Sequence, residues 1–139
     1  MKHQIATTTE QSQRLIACGV NPDSADMAWK EDLTSIRLEV LNHPWIENLR
    51  NLHYSPAWSL SALLALLPTE ITEEISRFDE IQTYGLLIYP YMQGWQIDYQ
   101  YCEDDECHCL KCVHGLDLIE VCVKTIEWLT SNGYKLNND

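Results

Sequence analysis

Two apolar and aromatic runs around a glycine-containing turn constrain the fold of this chain most strongly. Residues 84–91 form the first run, Gln93-Gly94 supplies the turn, and residues 95–101 form the second run. The second run alternates Trp95, Ile97, Tyr99 and Tyr101 with Gln96, Asp98 and Gln100. An alternation of period two is typical of a strand with one buried face, so the sequence predicts an antiparallel hairpin over 84–101.

Three other segments have the spacing and the end residues of helices. The first, over about 9–18, has Thr8 or Thr9 as its cap and Gly19 as a left-handed terminator. The second, over 59–67, begins at Ser59 and ends before Pro68, and the third spans about 116–130. The second helix carries leucines at i, i+3, i+4 and i+7: Leu60, Leu63, Leu64 and Leu67.

A further alternation, at Ile36, Leu38 and Val40, predicts a half-buried strand before the second helix. The resulting order is helix, strand, helix, hairpin, helix. We therefore expect an α+β fold in which about three helices pack on a small antiparallel sheet. A chain of 139 residues without a Gly/Ser-rich linker also predicts a single domain over residues 1–139.

The charge of the chain disfavours several classes of partner. Aspartate and glutamate number 21 against 9 lysines and arginines, which gives a net charge of −12. Such a field repels nucleic-acid phosphates and anionic lipids and attracts basic proteins. The sequence also shows neither a secretory signal nor a membrane-spanning apolar run, so we expect a cytoplasmic protein with reduced cysteines.

A cluster of cysteine and histidine between the hairpin and the last helix is the main candidate for metal chemistry. Its candidate ligands are Cys102, Cys107, Cys109, Cys112 and His114. Closely spaced thiolates suit zinc, and Cys107, Cys109 and Cys112 with either Cys102 or His114 would complete four ligands. Against this, the candidates lie in one short loop, where extended backbone would direct Cys112 away from Cys107 and Cys109. We expect no cofactor for folding, and zinc is the one metal that the sequence suggests.

No catalytic motif is visible in the sequence. The four acidic residues before Cys107 would raise thiol pKa values, which disfavours a cysteine nucleophile. Phosphate-binding glycine loops, nucleophile elbows and zinc-protease helices are missing from the sequence. We therefore expect a protein that is not an enzyme.

Three segments, at residues 14–27, 56–64 and 127–129, resemble an uncharacterised family of small proteins from gut Bacteroidales and their phages or mobile elements. This resemblance implies an accessory protein of a mobile element, and it does not imply any chemical activity. The hairpin followed by Gly115, Glu120 and an amphipathic helix is also similar to HicB-like antitoxin domains, which bind a basic toxin.

Two functions follow as expectations. The first is a non-enzymatic, acidic protein-interaction module of phage or mobile-element type that binds a basic protein partner. The alternative is a small zinc-binding module that uses the cysteine and histidine residues of segment 102–114.

Overall fold

The computed structural model describes residues 4–75 and 80–137. Its three α-helices are α1 (Thr9–Ala17), α2 (Leu60–Leu66) and α3 (Leu118–Ser131), and short 3₁₀ helices span Pro22–Ser24 and Glu47–Leu52. Its seven strands are β1 (Met27–Glu31), β2 (Ile36–Val40), β3 (Tyr54–Ala57), β4 (Glu70–Ile75), β5 (Glu80–Tyr91), β6 (Gly94–Glu103) and β7 (Glu106–Gly115). The predicted α+β class is confirmed.

The strands form two antiparallel sheets instead of one. The three-stranded sheet has the order β2-β1-β3, and the four-stranded sheet has the order β4-β5-β6-β7. The predicted hairpin is the β5–β6 pair, in which Leu86 lies opposite Tyr99 and Ile88 opposite Ile97. Its turn residues are Met92 and Gln93, both with positive φ, and Gly94 begins β6. A Cβ at Gly94 would lie 2.2 Å from the carbonyl oxygen of Gly115, so this close approach of two strands requires glycine.

The predicted helices are confirmed together with their caps. The Thr8 side chain accepts from the backbone N–H of Gln11, and the Gln11 side chain accepts from the N–H of Thr8, which forms a capping box. Ser59 caps α2, and Gly19 ends α1 with a φ of +101°. Asp117, which the sequence placed inside the last helix, is instead the cap of α3.

All three helices and one face of the four-stranded sheet share a cluster of buried side chains. Helix α3 packs on β6 and β7, where it covers Ile97, Tyr99 and Val113. Helices α1 and α2 pack against α3 in turn. Burial of these apolar surfaces at about 25 cal/mol per Å² is the main stabilising contribution. The opposite face of the sheet is left without a helix among the described residues.

Strand β2 differs from its prediction in one respect. It forms over Ile36–Val40 as expected, but Ile36 and Val40 are 64% and 70% exposed. The strand lies at an edge of the three-stranded sheet, and its apolar side is not covered by another described element. The alternation therefore predicted the strand correctly and its burial wrongly.

None of the helices within residues 4–75 and 80–137 combines the length and the apolar composition needed to cross a bilayer.

Candidate functional site

The uncovered face of the four-stranded sheet carries the cysteine and histidine residues predicted as ligands, together with Asp98. Residues that pair across antiparallel strands point to the same face of a sheet, so the register defines this surface. Its cross-strand rows are Tyr89-Gln96-His114, Leu87-Asp98-Cys112 and Glu70-Gly85-Gln100-Cys109, followed by Thr72-Thr83 and Glu74-Ile81, with Cys102-Cys107 at the end of the β6–β7 hairpin. We call this surface, together with Tyr91, the open face.

A β-bulge in β7 brings the cysteines of this strand onto one face. Tyr99 pairs with Lys111 and Gln100 pairs with Cys109, so Leu110 is an extra residue without a partner on β6. The bulge places Cys109 and Cys112, three residues apart, on the same side of the sheet. The sequence prediction that Cys112 would point away from Cys107 and Cys109 is therefore wrong, because it assumed a regular strand.

The segment predicted as a cysteine-rich loop is itself a strand. Only Asp104 and Asp105 form the turn between β6 and β7, with φ values of 51° and 65°. Two consecutive residues with positive φ are typical of a type I′ hairpin turn, in which Asn and Gly are the usual residues. Because neither position is Asn or Gly, the turn could not be recognised from composition.

The cysteines of β6 and β7 form two disulfides. Cys102 is joined to Cys107 and Cys109 to Cys112, with Cα–Cα distances of 4.0 Å and 6.7 Å. The sequence predicted reduced thiols at all six positions, whereas in the structure these four cysteines are paired. Cys18 and Cys122 are free, and burial, helped by the negative charge of Asp117, raises the pKa of the Cys122 thiol to about 12. Cys122 is therefore a packed core side chain without nucleophilic character at neutral pH.

Asp98 is the most unusual residue of the open face, because this charged residue type is only 3% exposed. The Tyr89 hydroxyl donates to Oδ2 of Asp98 at 2.5 Å, and Nε2 of Gln96 donates to Oδ1 at 2.8 Å. Gln96 Nε2 also lies 2.8 Å from the Tyr89 hydroxyl. The hydrogen bond to Asp98, aided by burial, raises the pKa of Tyr89 to about 12. This network fixes the position of the Asp98 carboxylate.

The Asp98 carboxylate lies beside the Cys109–Cys112 pair. One carboxylate oxygen and the two Sγ atoms all lie within 4.8 Å of one another. Among the ion pairs of residues 4–75 and 80–137, none involves Asp98. A buried carboxylate that lacks a cationic partner is energetically costly, which makes this cluster the strongest candidate site in the described part of the chain.

Two of the five predicted ligands, Cys109 and Cys112, belong to the cluster with Asp98. His114 lies on the open face, but its Nε2 is 3.2 Å from the carbonyl oxygen of Tyr91, and its ring packs edge-on against the Tyr91 ring at 5.5 Å. Cys102 and Cys107 lie at the end of the hairpin beyond Gln100 and Cys109. Neither they nor His114 belong to the cluster of Asp98, Cys109 and Cys112.

Sequence reasoning missed Asp98, Tyr89 and Gln96 as site residues. Asp98 was assigned correctly to the polar side of the second hairpin strand, but nothing in that strand indicated that the side chain would be buried. The available signal was the pairing of this strand with the cysteine segment, which would have placed Asp98 beside Cys112. That pairing requires the Asp104-Asp105 turn to be recognised first.

A groove elsewhere on the surface is a weaker candidate. It has a volume of about 470 Å³ and is lined by Arg14, Cys18 and Glu127, among others. The Arg14 guanidinium is already bound by Glu120 at 2.7 Å and Glu127 at 2.5 Å. The hydrogen bond with Glu127, and to a lesser extent the one with Glu120, raises the pKa of Arg14 above its ordinary value. The Arg14 guanidinium is therefore already occupied by two carboxylates, and these ion pairs stabilise the contact between α1 and α3.

No protein-family model, curated protein or solved structure matches this chain.

Proposed function

We propose that the chain is a non-enzymatic interaction module that binds a basic protein partner through the open face. The observation that supports this best is the combination of exposed apolar side chains and carboxylates on one uncovered sheet surface. Ile81, Leu87 and Tyr91 are 68%, 43% and 49% exposed, and the rows of this face include Glu70 and Glu74.

The charge pattern of this face favours a cationic partner. None of its rows, as defined above, contains a lysine or an arginine. Lys111 points to the other face, where its Nζ lies 6.0 Å from the centre of the Trp128 ring. The acidic turn of residues 103–106 adds four carboxylates at the far end of the hairpin. Complementary charge of this kind increases association rates and selects partners.

The apolar and aromatic residues of the face supply the contact energy. Cores of protein interfaces are enriched in aromatic side chains and depleted in charged ones. Tyr91 and Leu87 can fill that role, while Glu70 and Glu74 on β4 lie toward the rim. β4 and β7 are the edge strands of this sheet, so Glu70 and Glu74 lie along one border of the face. The similarity to HicB-like antitoxin domains, which bind a basic toxin, agrees with a basic partner.

Charge-reversal variants test whether this face, and not the total charge, binds the partner. Glu70→Lys with Glu74→Lys and the control Glu31→Lys with Asp23→Lys each change the net charge from −12 to −8, since each substitution adds two. All four residues are exposed, and the control pair lies outside the four-stranded sheet.

The experiment compares the tagged wild type and both double variants as baits in lysate of the native host at physiological salt. We expect a basic protein that the wild type and the control retain, and that the Glu70/Glu74 variant loses. Equal retention by both variants, or equal loss from both, would contradict the proposal, because neither outcome depends on the open face.

A further inference from the structure

We propose that Cys109 and Cys112 in their reduced form, together with Asp98, bind a zinc ion on the open face. The site would have two thiolate sulfurs and one carboxylate oxygen as protein ligands. This inference goes beyond the proposed interaction function and does not depend on it.

The three ligand atoms lie close enough together to share one metal ion once the bond between the two sulfurs is reduced. Zinc binds thiolate at about 2.3 Å and carboxylate oxygen at about 2.0–2.2 Å, so its ligand atoms lie roughly 3.3–3.8 Å apart. In the structure the Asp98 oxygen and the Sγ atoms of Cys109 and Cys112 lie within 4.8 Å of one another. After reduction of the sulfur–sulfur bond, the proposal requires side-chain rotations that move the two Sγ atoms apart to this spacing. Three protein ligands leave the fourth position for water or a group from a partner.

The burial of Asp98 supports a cation in this place. Asp98 is 3% exposed, and within residues 4–75 and 80–137 the hydrogen-bond partners of its carboxylate are the neutral donors Tyr89 and Gln96. Each of these donors occupies one lone pair on a different carboxylate oxygen, and a carboxylate offers about four acceptor positions. Lone pairs therefore stay available for a metal. Hydrogen bonding that orients a ligating carboxylate is the usual outer-shell arrangement of metal sites.

The backbone holds the three ligands rigidly. Asp98 lies on β6, which is paired on both sides, and Cys112 is its direct partner on β7. Cys109 reaches the same side only because Leu110 forms the bulge, and Leu110 is packed against the core. Bulges often occur next to functional sites, where they redirect a side chain.

Reduction connects the disulfide in the structure to the proposed metal-bound form. Two molecules of a thiol reductant of the glutathione class transfer two electrons and two protons to the Cys109–Cys112 bond. The products are the two cysteine thiols and one disulfide of the reductant. Zinc then binds the two sulfurs as thiolates, and the two thiol protons are released to solvent. In the reducing cytoplasm, which the sequence predicts as the location, the dithiol form would prevail.

This ligand set differs from the one that the sequence suggested. Asp98 takes the place of Cys107 and of the fourth ligand, Cys102 or His114. His114 already contacts Tyr91, and Cys102 and Cys107 lie at the end of the hairpin, outside the cluster of Asp98, Cys109 and Cys112. Cys102 and Cys107 therefore provide a matched control for nonspecific binding of zinc by reduced cysteines.

Zinc titration of the full-length protein in a phosphine reductant tests the proposal, with a chromophoric chelator as competitor. We expect one zinc ion per chain for the wild type and for Cys102→Ser with Cys107→Ser. Cys109→Ser with Cys112→Ser should lose the ion, and Asp98→Asn should bind it roughly tenfold or more weakly. Absence of stoichiometric zinc from the reduced wild type, or its loss in the Cys102/Cys107 variant alone, would overturn the proposal.

X-ray absorption at the zinc edge of the wild type provides a test that does not depend on the folding of any variant. The proposal predicts two sulfur ligands, with oxygen ligands making up the remainder. Four sulfur ligands, or no sulfur ligand, would contradict the assignment of Asp98, Cys109 and Cys112.

Discussion

Asp98 on β6 is the direct cross-strand partner of Cys112 on β7, and it is buried on a sheet face that no helix of the described residues covers. Neighbouring side chains of the sheet, and not a covering helix, bury Asp98. Tyr89 on β5 and Gln96 on its own strand enclose the carboxylate with hydrogen bonds. The arrangement gives a fixed, negatively charged group next to two cysteines, and this group is central to the chemistry that we propose.

The hydroxyl of Tyr89 should position Asp98 for the metal. Tyr89→Phe removes the donor to Oδ2 while leaving the ring in place, so we predict that zinc affinity of the reduced protein falls roughly 10-fold to 100-fold. Tyr91→Phe is the matched control, because Tyr91 is on the same strand and makes no hydrogen bond to Asp98. Equal affinities of the two variants in the competitive zinc titration would show that Tyr89 does not position the ligand.

Glu120 should make folding stability depend on acid pH. Its partial burial raises the carboxyl pKa, but hydrogen bonds from Arg14 and Gln11 outweigh this effect, so its pKa lies below the ordinary 4.5. Because its pKa is lower in the folded state, ionised Glu120 stabilises the fold above about pH 4.5. This stabilisation is lost as the pH falls through the folded-state pKa. The predicted window is therefore acidic, with no change expected near neutrality.

Thermal melts of the wild type and Glu120→Gln between neutral pH and about pH 3 test this prediction. We expect the difference in Tm between the two proteins to shrink on acidification. Protonation of Glu120 weakens its contact with Arg14 in the wild type, whereas Glu120→Gln lacks the charged contact at every pH. The exposed residue Glu10 provides the control variant Glu10→Gln. A constant difference between wild type and Glu120→Gln over this range would contradict the account of the Arg14–Glu120 contact.

The two adjacent leucines of α2 should differ in their contribution to stability. Leu63 is 0% exposed, whereas Leu64 is only partly buried and packs at the edge of the core. Leu63→Ala should lower the free energy of unfolding by roughly 2–5 kcal/mol, because it removes buried methyl groups and leaves a cavity. Leu64→Ala should cost less. Urea denaturation measures both values, and a larger loss for Leu64→Ala would show that the orientation of α2 is wrong.

Local patterns predicted much of the fold. The capping residues Thr8 and Ser59 and the terminator Gly19 placed the helix ends closely, because caps act within one turn. The aromatic alternation of β6 likewise gave the correct buried face. Strands β1, β3 and β4 were harder to recognise than β2. Strand β4, for example, places Ile71 among charged and polar residues over a short length and is stabilised by pairing with β5.

The candidate site was only partly predictable. The cysteines drew attention to the correct segment, but their orientation depends on the bulge at Leu110, which follows from long-range pairing and not from local sequence. Asp98 likewise belongs to the site because of the long-range pairing of β6 with β7. The apolar side of β2 shows the opposite error: Ile36 and Val40 suggested burial, but burial requires a covering element, which an alternating pattern cannot provide.

The central claim is that the open face contacts the partner. Carbodiimide labelling of carboxylates, read by mass spectrometry for the free protein and for its complex with the retained basic partner, tests this most directly. We predict that Glu70 and Glu74 are protected in the complex, while Glu31 and Asp23 are labelled as in the free protein. Protection of Glu31 and Asp23 with Glu70 and Glu74 unchanged, or equal protection of all four, would contradict the claim.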